Sequence, residues 1–178
     1  MTASNVQRYR QWCPRCLDFH AHFMHPEVYA RCEAHNPASG FGRHFRPLNS
    51  ERFKRMLDPA LQIEDMDLRG IDMNVITSVD VIHGRSWAEP AAEHEMAMMV
   101  NDMAGSWVSR HPTRFIGSFS PPLGDMKLAL KEAERCVGNG LRVMLMPSNY
   151  RGTYLGNERF EDLWAFAEQH GVVTFIHP

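Results

Sequence analysis

Five short apolar runs alternate along this chain with segments of helical period, and that alternation limits its folds more than any other feature. The runs are "LDFHAHF" at 17–23, "MNVITSV" at 73–79, "RFIGSFS" at 114–120, "LRVMLMP" at 141–147 and "VVTFIHP" from 172. Strands apolar on both faces belong inside a parallel sheet, whose neighbours must be joined by crossovers that carry a helix. The helical segments between them are punctuated. Asp58 stands as N-cap, Pro59 at the first helical position and Gly70 at the left-handed stop of "LDPALQIEDMDLRG". From Pro90, the residues Met96, Met99, Val100, Met103, Trp107 and Val108 keep helical spacing until His111-Pro112. The methionines among them read as core filling. Asp125 caps a helix through Val137, and Asn157 opens another that Gly171 ends. The expected class is α/β, with five parallel strands in sequential order and right-handed crossovers.

The 178 residues have room for one domain with a proper core. Residues 1–16 read as an N-terminal extension and 17–178 as the domain. A segment rich in Gly, Pro, His, Asn and Arg, 24–57, reads as a long loop insertion, and loops of that length are usually functional or disordered. A net charge of -2 gives no electrostatic case for nucleic acid or an anionic membrane as partner. No apolar run is long enough to span a bilayer, and the start "MTASNVQRYRQW" lacks the apolar core of a signal peptide, so the expected location is cytoplasmic. Cys13 and Cys16 form a lone CxxC, with Cys32 and Cys136 elsewhere. There is no second pair to complete a zinc knuckle, and the motif precedes a strand instead of opening a helix, so the thiols read as reduced and ordinary.

Within the first run, His20 and His22 are two residues apart. On a strand they share a face, roughly 6.6 Å apart along the backbone, so their rings can converge on one ion. Half-buried surface histidines give the same short pattern, and the pair alone is only suggestive. His177 ends the fifth run. α/β folds keep their chemistry at strand C-termini, so a sheet curling into a barrel would bring His20, His22 and His177 to one mouth. A (β/α) barrel usually takes about 250 residues and eight strands. This chain reads as such a barrel cut short after its fifth strand.

The pieces "DFHAHF", "FRP", "DPALQIEDMDLRGID", "VND", "HPTRFIGSFSPPL" and "FIHP", in this order and spacing, carry a resemblance. The chain resembles the amidohydrolase-related (amidohydrolase 2) metal enzymes of the aminocarboxymuconate-semialdehyde decarboxylase type, over nearly its whole length from Asp18. The resemblance implies a metal-dependent (β/α)8 TIM barrel with His20, His22 and His177 as metal ligands. It implies zinc, since ligation is nitrogen-rich, with Mn2+ as the alternative. A further histidine, a late-strand aspartate and the general acid or base would lie beyond Pro178. Arg46, in "HFRP", falls on the arginine that holds a substrate carboxylate in the decarboxylase, although Arg43 and Arg52 stand near it. The activity implied is decarboxylation of a small unsaturated or aromatic carboxylic acid by a metal-activated water, in a full-length enzyme for which a homodimer is allowed. A metal with open coordination brings the pKa of its water down to about 7. Two other readings stay open: a hydrolase or hydratase on the same scaffold, and an inactive truncated fragment.

The remaining candidates are weaker. Trp87 in "GRSWAEP" follows the second strand and could wall a substrate pocket, or be a structural loop aromatic. His25, His35 and His44 read as solvated loop residues, and nothing assigns His83 a role. Asp18 could orient a ligand, but a structural role is the better reading. His94, His111 and His170 lie on or near helices and read as structural or solvated.

Overall fold

Helix punctuation in the sequence carries through to the backbone of the computed structural model, which describes residues 16–35, 51–79 and 84–177. Asp58 is extended and accepts the Ala60 N–H at 2.9 Å, opening a helix at Pro59 that ends where Gly70 takes φ 71°. Asp125 accepts the N–H groups of Lys127 and Leu128 at 2.8 and 3.1 Å. Asn157 caps a single 3-10 turn, Glu158–Phe160, that runs into the last helix, and Gly171 stops that helix at φ 59°. Each of these side chains satisfies helix-end groups that have no partner within the helix.

In chain order the elements are β1 Leu17–Phe23, α1 Pro26–His35, α2 Glu51–Leu57, α3 Pro59–Arg69, β2 Met73–Ser78, α4 Pro90–Arg110, β3 Phe115–Phe119, α5 Met126–Gly138 and β4 Val143–Pro147. There follow a small antiparallel hairpin, β5 Asn149–Tyr150 and β6 Thr153–Tyr154, then α6 Glu161–His170 and β7 Val173–His177. The main sheet is parallel, in the order β1-β2-β3-β4-β7, so its strands are sequential as the alternation predicts. Among the described residues no helix is long and apolar enough to cross a membrane.

The segment 24–57 differs from its reading as a loop. Its first part is α1, held by buried Val28, Tyr29 and Cys32, and its last part is α2, held by buried Phe53 and Met56. These side chains form a separate small cluster with Met24 and Val79, apart from Val28 and Cys32, which join the main core. The apolar stripes are only one or two turns long, which is why the surrounding polar residues mask them. The 149–154 hairpin is a second element absent from the strand and helix pattern.

The sheet is curled. Three strands separate β1 from β7, so in a flat sheet these edges would lie about 19 Å apart. Yet the rings of Phe19 and Phe175, one from each edge, meet at 5.5 Å. The two edge strands face each other across the interior of a half-barrel, in the manner of alternate strands sharing a layer of a (β/α)8 barrel. Outside it, α4 lays Met96, Val100, Ala104 and Trp107 against Phe115 and Phe119 of β3. Gly117 permits the close contact there, because a Cβ would sit 2.3 Å from Leu141 Cδ2 and 2.9 Å from Val108 Cγ2. On the outer strands, Leu17, Val173 and Ile176 are 47%, 52% and 51% exposed. Those are the edges that further strands of an eight-stranded barrel would cover.

Candidate metal centre

β1 does not run in simple register beside β2. Asp18 is opposite Asn74, but Ala21 is opposite Ile76, so β1 holds one extra residue between the pairs. Such a bulge re-aims a side chain. Here the Asp18 carboxylate accepts the His20 N–H at 2.9 Å and clamps the bulged backbone. Asp18 therefore has a positioning role, and two-residue parity alone does not describe how His20 is turned.

The three predicted ligands converge. His20 Nε2 lies 3.1 Å from His22 Nε2 and 3.0 Å from His177 Nε2. All three ligand atoms fall within 4.8 Å of one another, with His20 exposed and the other two half-buried. His177 comes from the far edge of the sheet, opposite Pro147 of β4, so the curl of the sheet makes the meeting. Zn–N bonds of about 2.0–2.1 Å place ligand nitrogens roughly 3–4 Å apart around an ion, close to the spacing seen.

The donor set also suits a cation chemically. His22 Nδ1 is 3.0 Å from Thr77 Oγ1 and 3.3 Å from the Thr77 carbonyl. The carbonyl can only accept, so Nδ1 carries the proton and the lone pair lies on Nε2, facing the other two rings. Burial first, and the neighbouring His20 second, lower the His22 pKa to about 4, which keeps the ring neutral at physiological pH. A neutral imidazole whose second nitrogen is hydrogen-bonded is the form that ligates metals. The residues fit a divalent ion.

Arg46, His44 and His83 lie outside the described residues. Trp87 sits after β2, 38% exposed, and stacks on His35 at the end of α1, with centroids 4.2 Å apart and planes 11° from parallel. His25 Nδ1 accepts the Val28 N–H at 3.4 Å at the start of α1. His94 approaches Glu132 at 3.8 Å, His111 packs edge-on against Phe115 and His170 stacks on Phe166, so the helix histidines stay away from the three ligands. Cys32 and Cys136 are buried and Cys16 is half-buried. Burial, and then Glu132, push the Cys136 thiol upward, leaving it protonated and inert.

Several buried polar groups near the strand ends hold one another in place. Asn101, inside "VND", accepts the Ser120 N–H at 2.8 Å and donates to Glu132 at 2.7 Å. Arg85 donates to Ser120 Oγ at 2.7 Å. Glu93 accepts from Leu123 N, Gly124 N and Tyr150 O–H at 3.1, 3.0 and 2.8 Å. The signal in the sequence was faint: Glu93 and Asn101 fall on the buried stripe of α4, where a polar residue requires partners.

A family model described as amidohydrolase matches residues 17–178. A 2-amino-3-carboxymuconate-6-semialdehyde decarboxylase of Dictyostelium discoideum is 30% identical over 138 residues, covering 77% of this chain and 37% of that protein. A gamma-resorcylate decarboxylase of a Polaromonas species is 36% identical over 132 residues, covering 70% and 40%. Among solved structures, the 5-carboxyvanillate decarboxylase of Sphingomonas paucimobilis superposes with a TM-score of 0.78 at 21% identity, covering 92% of this chain and 52% of that one. A dihydroxybenzoic acid decarboxylase from Polaromonas, solved with manganese and 2-nitroresorcinol, gives 0.73 at 22%, covering 92% and 49%. The chain thus spans about 40% of those curated relatives and half of those solved structures. At such identities the structural likeness establishes the fold: these are five strands of a (β/α)8 barrel.

Proposed function

This chain belongs to the amidohydrolase family, and from that membership we propose that it forms the metal-binding part of a carboxy-lyase acting on a small aromatic or unsaturated carboxylic acid. The observation that carries the reading is the convergence of His20, His22 and His177 at the strand ends. The decarboxylases among the similar proteins support it.

His20, His22 and His177 would hold a divalent cation. Three imidazoles suit zinc, and manganese is the alternative because a structural neighbour was solved with it. When bound, such a cation supplies Lewis acidity toward a substrate oxygen or an activated water. The chain's own residues do the rest. Thr77 holds the His22 proton on Nδ1, and Asp18 holds the His20 backbone in its bulge. Arg46 offers a planar fork to the substrate carboxylate, which can accept two parallel hydrogen bonds from it. Trp87, backed by His35, supplies an aromatic wall on the β2 side of the mouth.

The test is carbon dioxide release by the full-length, metal-loaded protein from hydroxybenzoates and unsaturated diacids. Release that depends on metal and disappears in His22→Ala is expected. Hydrolysis or hydration of the same compounds without carbon dioxide would replace the lyase reading with the hydrolase or hydratase one.

A further inference from the structure

Where the segments that follow β2, β3 and β4 meet the start of α4 lies an open-sided cavity of about 100 Å³, whose polar wall includes Arg85, Glu93, Ser120, Asn149 and Tyr150. That space holds several waters or one small polar group. Its rim includes Pro147, the register partner of His177, so the cavity lies about one strand spacing (~4.8 Å) from the strand that carries the third imidazole.

Arg85 is only 5% exposed. Its Nη2 donates to Ser120 Oγ at 2.7 Å and to the Ser120 carbonyl at 3.4 Å, and Asn101 fixes Ser120 in turn. The Arg85 guanidinium brings a positive charge and a planar fork of donors to the wall. The carboxylate lining the cavity among the described residues is Glu93, and its oxygens accept from two backbone N–H groups and from Tyr150, which spreads its charge over three donors. Two further guanidiniums flank Tyr150: Arg151 lies 5.3 Å and Arg159 5.5 Å from its ring centre. Arg151 takes φ 50°, a left-handed backbone uncommon for a side chain with a Cβ, and pins the 149–154 hairpin to the Ser86 and Ala88 carbonyls at 2.6 and 3.0 Å. Strain of this kind concentrates at ligand clamps. Among the described residues the lining holds one guanidinium, Arg85, and one carboxylate, Glu93, with two further guanidiniums against the Tyr150 ring.

We propose that this cavity is an anion subsite in which Arg85 takes a second carboxylate of the substrate, remote from the carboxylate that reacts. Arg85 is then a specificity residue that selects diacids over monoacids. The proposal rests on the metal-centre reading for the position of the rest of the ligand, and on Arg85 and its cavity for the second charge.

The experiment measures binding by calorimetry to the full-length, zinc-loaded protein. The probes are phthalate, isophthalate and terephthalate, each against its own monomethyl ester, which keeps the ring and one carboxylate but loses the second charge. At least one diacid should bind about tenfold more tightly than its ester, the size of one charge-assisted hydrogen bond. Arg85→Met should bring that diacid to within about twofold of the ester while leaving ester binding unchanged, and Arg85→Lys should keep part of the preference. Equal binding of every diacid and its ester in the unsubstituted protein overturns the proposal, as does a preference that survives Arg85→Met. If Arg85→Met does not fold, the ester comparison and Arg85→Lys decide. Diacid preference without carbon dioxide release would remove the lyase reading and leave the subsite. Carbon dioxide release without an Arg85-dependent preference would do the reverse.

Discussion

The Thr77 hydroxyl lies 3.0 Å from His22 Nδ1, beside the Thr77 carbonyl that fixes the proton on that nitrogen. Its own proton goes to the Ala21 carbonyl at 3.1 Å, so toward the imidazole the oxygen is an acceptor. Nε2 is thereby left with its lone pair toward His20 and His177. Groups of this kind around a metal ligand typically govern 10- to 100-fold in affinity. Thr77→Val should weaken metal binding by about tenfold in the full-length protein, and Thr77→Ser should retain it. Competition with a chromophoric chelator measures both. Unchanged affinity in Thr77→Val would show that the carbonyl alone holds the ring.

His20 depends on Asp18 in a different way, through the backbone. The carboxylate accepts the His20 N–H inside the bulge, a hydrogen bond strengthened by charge. Asp18→Ala should release the bulge and loosen metal binding by about tenfold with little change in melting temperature, because the site is exposed. Asp18→Asn keeps an acceptor oxygen and should stay near the unsubstituted protein. Metal titration of the two variants side by side separates this clamp from a role for the negative charge itself, which would make both variants equally weak.

The features legible in the sequence were those whose chemistry is local. Asp58, Asp125 and Gly171 act on atoms within a few residues, and each does what its position predicts. His20 and His22 were legible as a pair, and His177, 157 residues away, as the end of a fifth strand that a curling sheet would bring to the same mouth. The bulge at β1 was not legible, because side-chain alternation cannot reveal an extra residue that only the hydrogen-bond ladder counts. Nor were Arg85 and Glu93, since a charge in a loop or first helical turn reads as solvated until a tertiary fold buries it among donors. The helices in 24–57 escaped for a third reason: Phe53 and Met56 make a stripe of one turn, too short to set a period.

Glu132 makes acid stability measurable. It is 1% exposed on α5, and burial pushes its pKa up, but the Arg135 fork at 2.7 and 2.8 Å and Asn101 at 2.7 Å outweigh that, leaving it below its ordinary 4.5. His94 at 3.8 Å and the Cys136 thiol also face it. A carboxylate with a depressed folded pKa binds fewer protons folded than unfolded. Its stabilisation is complete above the ordinary value and fades as pH falls through the folded one. Glu132→Gln should therefore melt lower than the unsubstituted protein near neutrality, with the gap closing as pH falls below the ordinary carboxylate value. Arg135→Ala, which leaves the buried carboxylate without its main partner, should cost about 3 kcal/mol at neutral pH. Thermal melts across pH check both, and a gap independent of pH would rule out the ionic origin.

The last prediction separates metal holding from substrate holding. Of the three candidate ligands His177 comes from the far edge of the sheet, and it meets His20 only because the sheet curls. In a protein carrying all eight strands, His177→Ala should abolish tight metal binding, and activity with it, since two imidazoles from one strand then remain among these three. Arg46→Ala should keep the metal and weaken substrate use, by about 10- to 100-fold in kcat/KM for a lost charged hydrogen bond to the carboxylate. The 178-residue chain by itself leaves Leu17, Val173 and Ile176 exposed on its two edge strands and His20 open to water. Water there screens the field that would act on developing charge. That chain should bind zinc weakly, release no carbon dioxide and self-associate through its edges. Metal analysis, a carbon dioxide assay and size-exclusion chromatography on the four proteins give the outcome. Stoichiometric zinc with full activity in the 178-residue chain would mean that the five strands already hold a complete site, and loss of metal in Arg46→Ala would give that arginine a role in supporting the metal site instead of the substrate.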